Sequence, residues 1–249
     1  MKNKAEERVG EKFTNKYNST IEVIEYIQYE KVKVKFTETN YIKFTNWATL
    51  QKGSTVSPYC KTVYKHGFIG EGKYNHKEYP EIYNTWQHMI RRCYDEKYYN
   101  RNKTYIDCEV CDEWLNFQTF ATWYENNYYQ IENQQMNLDK DILVKNNKIY
   151  SPESCIFVPH DINTLFTKTN AKRGNCPIGV HYKRNKYHVQ IQKYKQVIYL
   201  GTYDTPEEAF NVYKAAKEQH IKEIADNYKN LIPERLYNAM YEYEVEWED

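Results

Sequence analysis

Apolar and polar residues alternate along this chain with two different periods, and the switch between them marks out its elements. From Lys12 to Leu50 the period is two: Ile21, Val23, Tyr26 and Ile27, then Val32, Val34 and Phe36 set between lysines, then Tyr41, Ile42 and Phe44. Successive side chains of a strand face opposite ways, so this pattern predicts short, half-buried strands. Gly10, Asn15, Asn18 and Asn40 supply the turns between them. A small twisted barrel is the expected packing. Gly53 to Pro58, with the glycines at 67, 70 and 72 that follow, predicts a linker into a second module.

Beyond that stretch the spacing lengthens. Ile82, Tyr83, Trp86, Met89, Ile90 and Cys93 recur at three and four residues, which predicts a helix over Pro80 to Tyr94 with Gln87, Arg91 and Arg92 on its other face. Phe117, Phe120, Ala121 and Tyr124 share a second helical face. Short strands follow around Met136 to Leu143 and Cys155 to Val158, with a turn at Asn146-Asn147-Lys148 between them and a helix from Asp161 to Thr167 after them. Gly179 to Tyr182, Tyr187 to Gln192 and Gln196 to Tyr203 then predict three strands joined by tight turns. Thr205-Pro206-Glu207-Glu208 reads as a helix start, with Thr205 as N-cap, Pro206 at the first helical position and Glu208 closing a capping box. Ala209, Val212, Tyr213 and Ala216 line that helix. From Tyr241 the alternation is strict, Tyr241, Tyr243, Val245 and Trp247 against Glu242, Glu244, Glu246 and Glu248, which predicts a last strand with one acidic face. Such a strand can stay solvated, add to a sheet edge, or cover a basic surface.

Composition changes this picture in four places. The apolar fraction is 41%, but 27 tyrosines carry much of it, so the interior must be aromatic and partly amphipathic. No apolar run approaches the roughly eighteen residues of a membrane span, and Met1 to Val9 is charged, so an intracellular, cytoplasmic protein without a membrane partner is expected. Six cysteines without a secretory segment point to reduced thiols or a metal site rather than a disulfide framework. The net charge of +1 conceals an uneven distribution. Between Asp161 and Asp204 there is no carboxylate, while Lys168, Lys172, Arg173, Lys183, Arg184, Lys186, Lys193 and Lys195 all fall there; the last eight residues are acidic.

In the middle strand of the C-terminal three, Tyr187, Val189 and Ile191 point one way and His188, Gln190 and Gln192 the other. The apolar set packs on the helix, leaving the polar set, with Lys183, Lys186 and Lys193, as an exposed face. A β-ribbon fits the major groove, where Gln pairs with adenine and basic side chains reach guanine or phosphate. Gly179-Val180, Tyr187, Leu200 to Thr205, Glu207-Glu208-Ala209, Tyr213 and Ala216 resemble the ethylene-response-factor (Apetala-type) DNA-binding domain that plants share with phage-borne endonucleases. The resemblance implies base and phosphate contacts from His181, Lys183, Lys186, His188, Gln190, Gln192, Val197, Tyr199 and Thr202, and Arg184, in the basic stretch between the strands, is expected to bind DNA beside them. Plant members carry arginines and tryptophans at those positions, so a different base preference is expected here.

A second resemblance covers Tyr83 to Asn163. Trp86, Met89 and Arg92-Cys93-Tyr94, Val110-Cys111 with Trp114 and Phe117, Leu138 to Ile142, Tyr150 to Cys155 and Asn163 are similar to a phage family of HNH-like endonucleases. Such a site is a strand-loop-strand-helix unit in which a histidine activates water beside one divalent metal. The position corresponding to the histidine falls nearest Lys140, and a protonated lysine cannot take the proton. Two readings of this stretch stand. In one, Asp139 or Asp141 holds Mg2+ or Mn2+ together with His160 or Asn163, and Lys140 stabilises phosphate charge. In the other, the aspartates cap a turn, Asn163 bonds to backbone, and the unit only grips DNA. Cys108 and Cys111 have zinc-knuckle spacing that Cys93 and Cys155 would complete for a structural Zn2+; equally, Cys93 and Cys155 are buried apolar residues.

The expected architecture is therefore α+β. An SH-three-like β module occupies 1–58, an HNH-like ββα module with helices 59–170, a three-stranded antiparallel sheet on one helix 171–230, and an acidic tail 231–249. Double-stranded DNA is the expected partner, with no small-molecule substrate. The expected function is sequence-specific DNA binding by a phage or mobile-element protein, with metal-dependent endonuclease activity or without it. The alternative is a regulator or anti-defence inhibitor, such as an anti-CRISPR protein, acting on a host defence nucleoprotein.

Overall fold

The computed structural model describes residues 7–167 and 176–247, so Lys168, Lys172, Arg173, Glu248 and Asp249 lie outside the described residues. The chain is mixed α+β and divides into two compact units, one of residues 1–127 with 148–151, the other of 128–147 with 152–249. No described helix is long and apolar enough to cross a membrane.

In the first unit, β1 (Lys12–Thr14), β2 (Thr20–Gln28), β3 (Lys31–Phe36) and β4 (Ile42–Thr45) pair in chain order as an antiparallel meander. Ile21, Val23, Val32, Val34 and Phe36 form its buried face together with Trp47 and Leu50 of helix α1 (Trp47–Gln51). Asn46 starts that short helix by accepting the Thr49 N–H at 2.7 Å. A second core gathers around α2 (Pro80–Tyr94) and, after the short α3 (Glu96–Tyr99), α4 (Phe117–Asn127). Trp86, Met89, Trp114, Phe117 and Phe120 are fully buried there, and the Trp86 indole N–H donates to the Trp114 carbonyl at 2.7 Å. The glycine-bearing stretch expected as a linker is instead packed into this core. A Cβ on Gly67 would lie 2.8 Å from the Trp86 ring, and the Phe68 N–H donates to the Leu115 carbonyl. Glycine is present there to let backbone approach an indole, not to loosen the chain. A two-residue parallel pair, β5 (Glu109–Val110) with β7 (Ile149–Tyr150), completes the unit.

The second unit opens with β6 (Met136–Asp139), antiparallel to β8 (Ile156–Pro159), and helix α5 (His160–Phe166) follows at once. Then come β9 (Val180–Lys183), β10 (Lys186–Lys193) and β11 (Gln196–Tyr203), an antiparallel sheet in which β10 is central. Helix α6 (Pro206–Tyr228) begins with the expected capping box at Thr205 and Glu208 but runs for 23 residues, about 34 Å at 1.5 Å per residue. Its first half buries Ala209 and Tyr213 against Val180, Val189 and Ile191 of the sheet. Its second half buries Ile221 and Ala225 against Ile156, Val158 and Ile162 of the β6-β8-α5 group and against Leu236 and Met240 of α7 (Glu234–Tyr241).

The acidic tail differs from expectation. Residues 242–247 form no strand, although their alternation suggests one. They cross the helix side of the sheet: Val245 is buried with Val180 and Val189, its N–H donates to Glu218, the Trp247 carbonyl accepts the Ile178 N–H, and Tyr243 packs edge-on against Phe166. The described part of the tail therefore lies on the helix side and not on the outer sheet face.

Ile221 is fully buried, so Ile221→Ala should lower unfolding stability by about 2–5 kcal/mol, read as a shifted denaturant midpoint. His220 is also buried, with its Nδ1 3.6 Å from Glu223 and, among the described residues, without a hydrogen-bond partner. Burial, helped by Lys193 and Lys217, pushes its pKa below the ordinary histidine value. The unfolded chain then takes up a proton below about pH 6.5 that the folded chain refuses, so stability present at neutral pH should erode as pH falls through that value. Thermal melts from pH 7 to 5 should show a shallower decline for His220→Phe; an identical decline would remove His220 as its source.

Candidate nucleic-acid interface

Two hairpins build the outer face of the C-terminal sheet. Arg184 and Asn185 form the first turn and Tyr194 and Lys195 the second, all four with left-handed backbone (φ 52, 60, 50 and 65°). Two consecutive residues of this kind make the turn whose twist matches paired strands. The register then sets His181 opposite His188 and Lys183 opposite Lys186.

A bulge shapes the third strand. Val189 pairs with Gly201 while Gln190 pairs with Tyr199, so Leu200 is an extra residue. Strict alternation would put Tyr199 and Thr202, three apart, on opposite faces; the extra residue brings both to the outer face. Gly201, at φ 131°, takes the backbone conformation this requires. The lone glycine inside a strand pattern is the sequence signal for such a bulge.

The side chains on this face hold one another. His188 Nε2 lies 3.2 Å from the Lys183 carbonyl, so it donates, and Nδ1 is left to accept from the Thr202 hydroxyl at 3.2 Å. Tyr199 and Thr202 share a hydrogen bond between their hydroxyls. Gln190 Nε2 lies 3.0 Å from His181 Nε2. His181, Lys183, Arg184, Lys186, Gln190, Gln192, Tyr199 and Thr202 are exposed, and His188 is half-buried. Lys186 pairs with Asp204 at the edge of the face. Lys193 departs from its expected place. It alternates with Gln192 onto the helix side, where Glu223 of α6 holds it at 3.3 Å.

The residues proposed for catalysis are arranged differently. Asp139 Oδ1 accepts the N–H groups of Asp141 and Ile142, both at 2.8 Å, and burial raises its pKa above the ordinary carboxylate value against those two donors. Lys140 is buried, and its Nζ donates to Asp141 at 2.7 Å and to the Asn147 carbonyl at 2.6 Å, while the Asn147 side chain returns a bond to the Lys140 carbonyl. The three residues staple the loop between β6 and β8. Asp139 pairs with Ile156 and Met136 with Pro159, so Asp139 and His160, four residues beyond Ile156, occupy opposite ends of the ribbon, about 13 Å apart along the strands. His160 is exposed, with Nδ1 3.4 Å from Asn137 Nδ2, and Asn163 is half-buried on α5 with its carbonyl accepting from Thr167. Cys93, Cys108 and Cys111 belong to the first unit and Cys155 to the second, and all but Cys111 are buried. Among the described residues no three His, Cys, Asp or Glu side chains converge to hold a metal ion.

No protein-family model, curated protein or solved structure matches the chain.

The loop staple makes a separable prediction. Lys140→Met should cost about 1–3 kcal/mol of stability through lost buried hydrogen bonds to a charged group, seen as a lower melting temperature. DNA affinity measured well below that temperature should not change. A loss of affinity with unaltered melting would instead place Lys140 at a phosphate.

Proposed function

We propose that this chain is a sequence-specific duplex-DNA-binding protein of a phage or mobile element, working in the bacterial cytoplasm and reading the major groove with the outer face of β9, β10 and β11. The observation that carries the reading is the make-up of that face. His181, Lys183, His188, Gln190, Gln192, Tyr199 and Thr202 present basic or neutral hydrogen-bonding groups, and the carboxylate at the margin, Asp204, is paired with Lys186. Three strands span about 10 Å, against a major groove of about 12 Å. Val197, 66% exposed on the same face, is the kind of group that meets a thymine methyl.

Binding without cleavage is the reading we favour, because Asp139, Lys140 and Asp141 support this loop's own hydrogen bonds. A DNA-binding regulator or an inhibitor of a host nucleoprotein would need no more. Metal-dependent nicking is the second reading, favoured by the strand-loop-strand-helix order of β6, β8 and α5, which we take as HNH-like. We take the N-terminal meander as an SH-three-like module.

Gel shifts with a random-sequence duplex pool should show binding that weakens at least roughly tenfold between about 50 and 200 mM salt, as two phosphate contacts alone require. Combined Lys183→Ala and His188→Ala substitution should abolish it. Absence of binding even at low salt would end the proposal. Supercoiled plasmid incubated with Mg2+ or Mn2+ separates the two readings: it stays closed if the protein only binds, and nicking lost in Asp139→Ala would establish the second.

A further inference from the structure

The contact between Gln190 and His181 decides more than the position of a side chain. Two nitrogens face each other at 3.0 Å. A carboxamide nitrogen has two hydrogens and no lone pair to offer, so Gln190 donates and His181 Nε2 accepts, which places the imidazole proton on Nδ1. One of the two amide N–H groups is thereby used within the protein. With the N–H trans to the carbonyl on the imidazole, Oε1 and the cis N–H form a single outward edge, one acceptor beside one donor. Adenine offers the complement in the major groove, an N6 donor beside an N7 acceptor, whereas guanine offers two acceptors, N7 and O6.

We infer that His181 is a specificity-determining residue: by accepting from the amide of Gln190 it orients that amide to select adenine at the base pair beneath it. This inference rests on the DNA-binding reading above. Were the group at position 181 a donor, Gln190 would turn its Oε1 inward and present only N–H groups, the pattern that suits guanine. The backbone makes the contact between the two side chains reproducible. β9 and β10 are in register with His181 opposite His188, the Gln190 N–H donates to the Gly179 carbonyl, and the bulge places Tyr199 beside Gln190 on the same face. Lys183, two residues along β9 from His181, supplies a cation on this face, and its choice of phosphate or guanine falls at a different position from that read by Gln190.

The test is selection from a random duplex pool by the full chain, with wild type, Gln190→Ala, His181→Leu and His181→Lys compared at one salt concentration and their folding checked by thermal melts. Wild type should enrich adenine over guanine at one position, by roughly 5- to 150-fold for a bidentate contact, and Gln190→Ala should make that position degenerate. His181→Leu should bring the same position toward parity, and His181→Lys should shift it to guanine. The inference is overturned, with DNA binding intact, if the position sensitive to Gln190→Ala is unaffected by both His181 variants or is guanine in the wild type. A pool in which wild type enriches no sequence overturns the DNA-binding reading itself.

Discussion

One helix carries the second unit. α6 is a rigid rod of about 34 Å with the sheet packed on its first half and the β6-β8-α5 group on its second. Neither group has a complete core without it: the three-stranded sheet has one apolar face to cover, and the two-stranded ribbon is below the size that is stable alone in water. A single continuous hydrogen-bonded helix therefore couples their stability and sets the direction of the outer sheet face relative to α5. The tail adds to this by inserting Val245 among the sheet's buried residues and Tyr243 beside Phe166.

With its inner face closed by α6 and the tail, the sheet can present polar groups outward at little cost, because exposed histidines and glutamines remain solvated. Those groups are not loose. The bonds among Tyr199, Thr202 and His188, and between Gln190 and His181, restrict rotamers in advance, which would reduce the ordering cost of the binding proposed above. The loop at 139–147 shows the opposite use of polar groups. There the lysine is buried and its bonds run inward to Asp141 and Asn147, so the same residue types that serve catalysis elsewhere hold a turn here.

Much of the fold was legible in residue spacing. Period two at Val32, Val34 and Phe36, the helical spacing of Trp86, Met89 and Ile90, and the Thr205 capping box each correspond to an observed element. Alternation along β10 likewise identified His188, Gln190 and Gln192 as the outward set. For Lys193, charge suggests the outer face and alternation the inner one; Glu223, one helix away, holds it inward. The tail misled for a related reason. Tyr241, Val245 and Trp247 alternate with glutamates, but only Val245 of the three is buried, and its place is against a helix and sheet rather than beside another strand. Gly67 looked like flexibility because a sequence does not show which indole lies opposite a glycine.

By itself the sequence determined what is local: element type, turn positions, the start of α6, the basic stretch without carboxylates, and the side of each strand a residue faces. These follow from periods and caps set by backbone geometry over a few residues. Only the tertiary structure decided that α6 serves two cores, that Leu200 is the bulged residue joining Tyr199 and Thr202 on one face, that Lys140 points inward, and that His181 accepts from Gln190. Each of those depends on which distant segment supplies the partner, and burial and hydrogen-bond satisfaction choose that partner only when the whole unit is assembled.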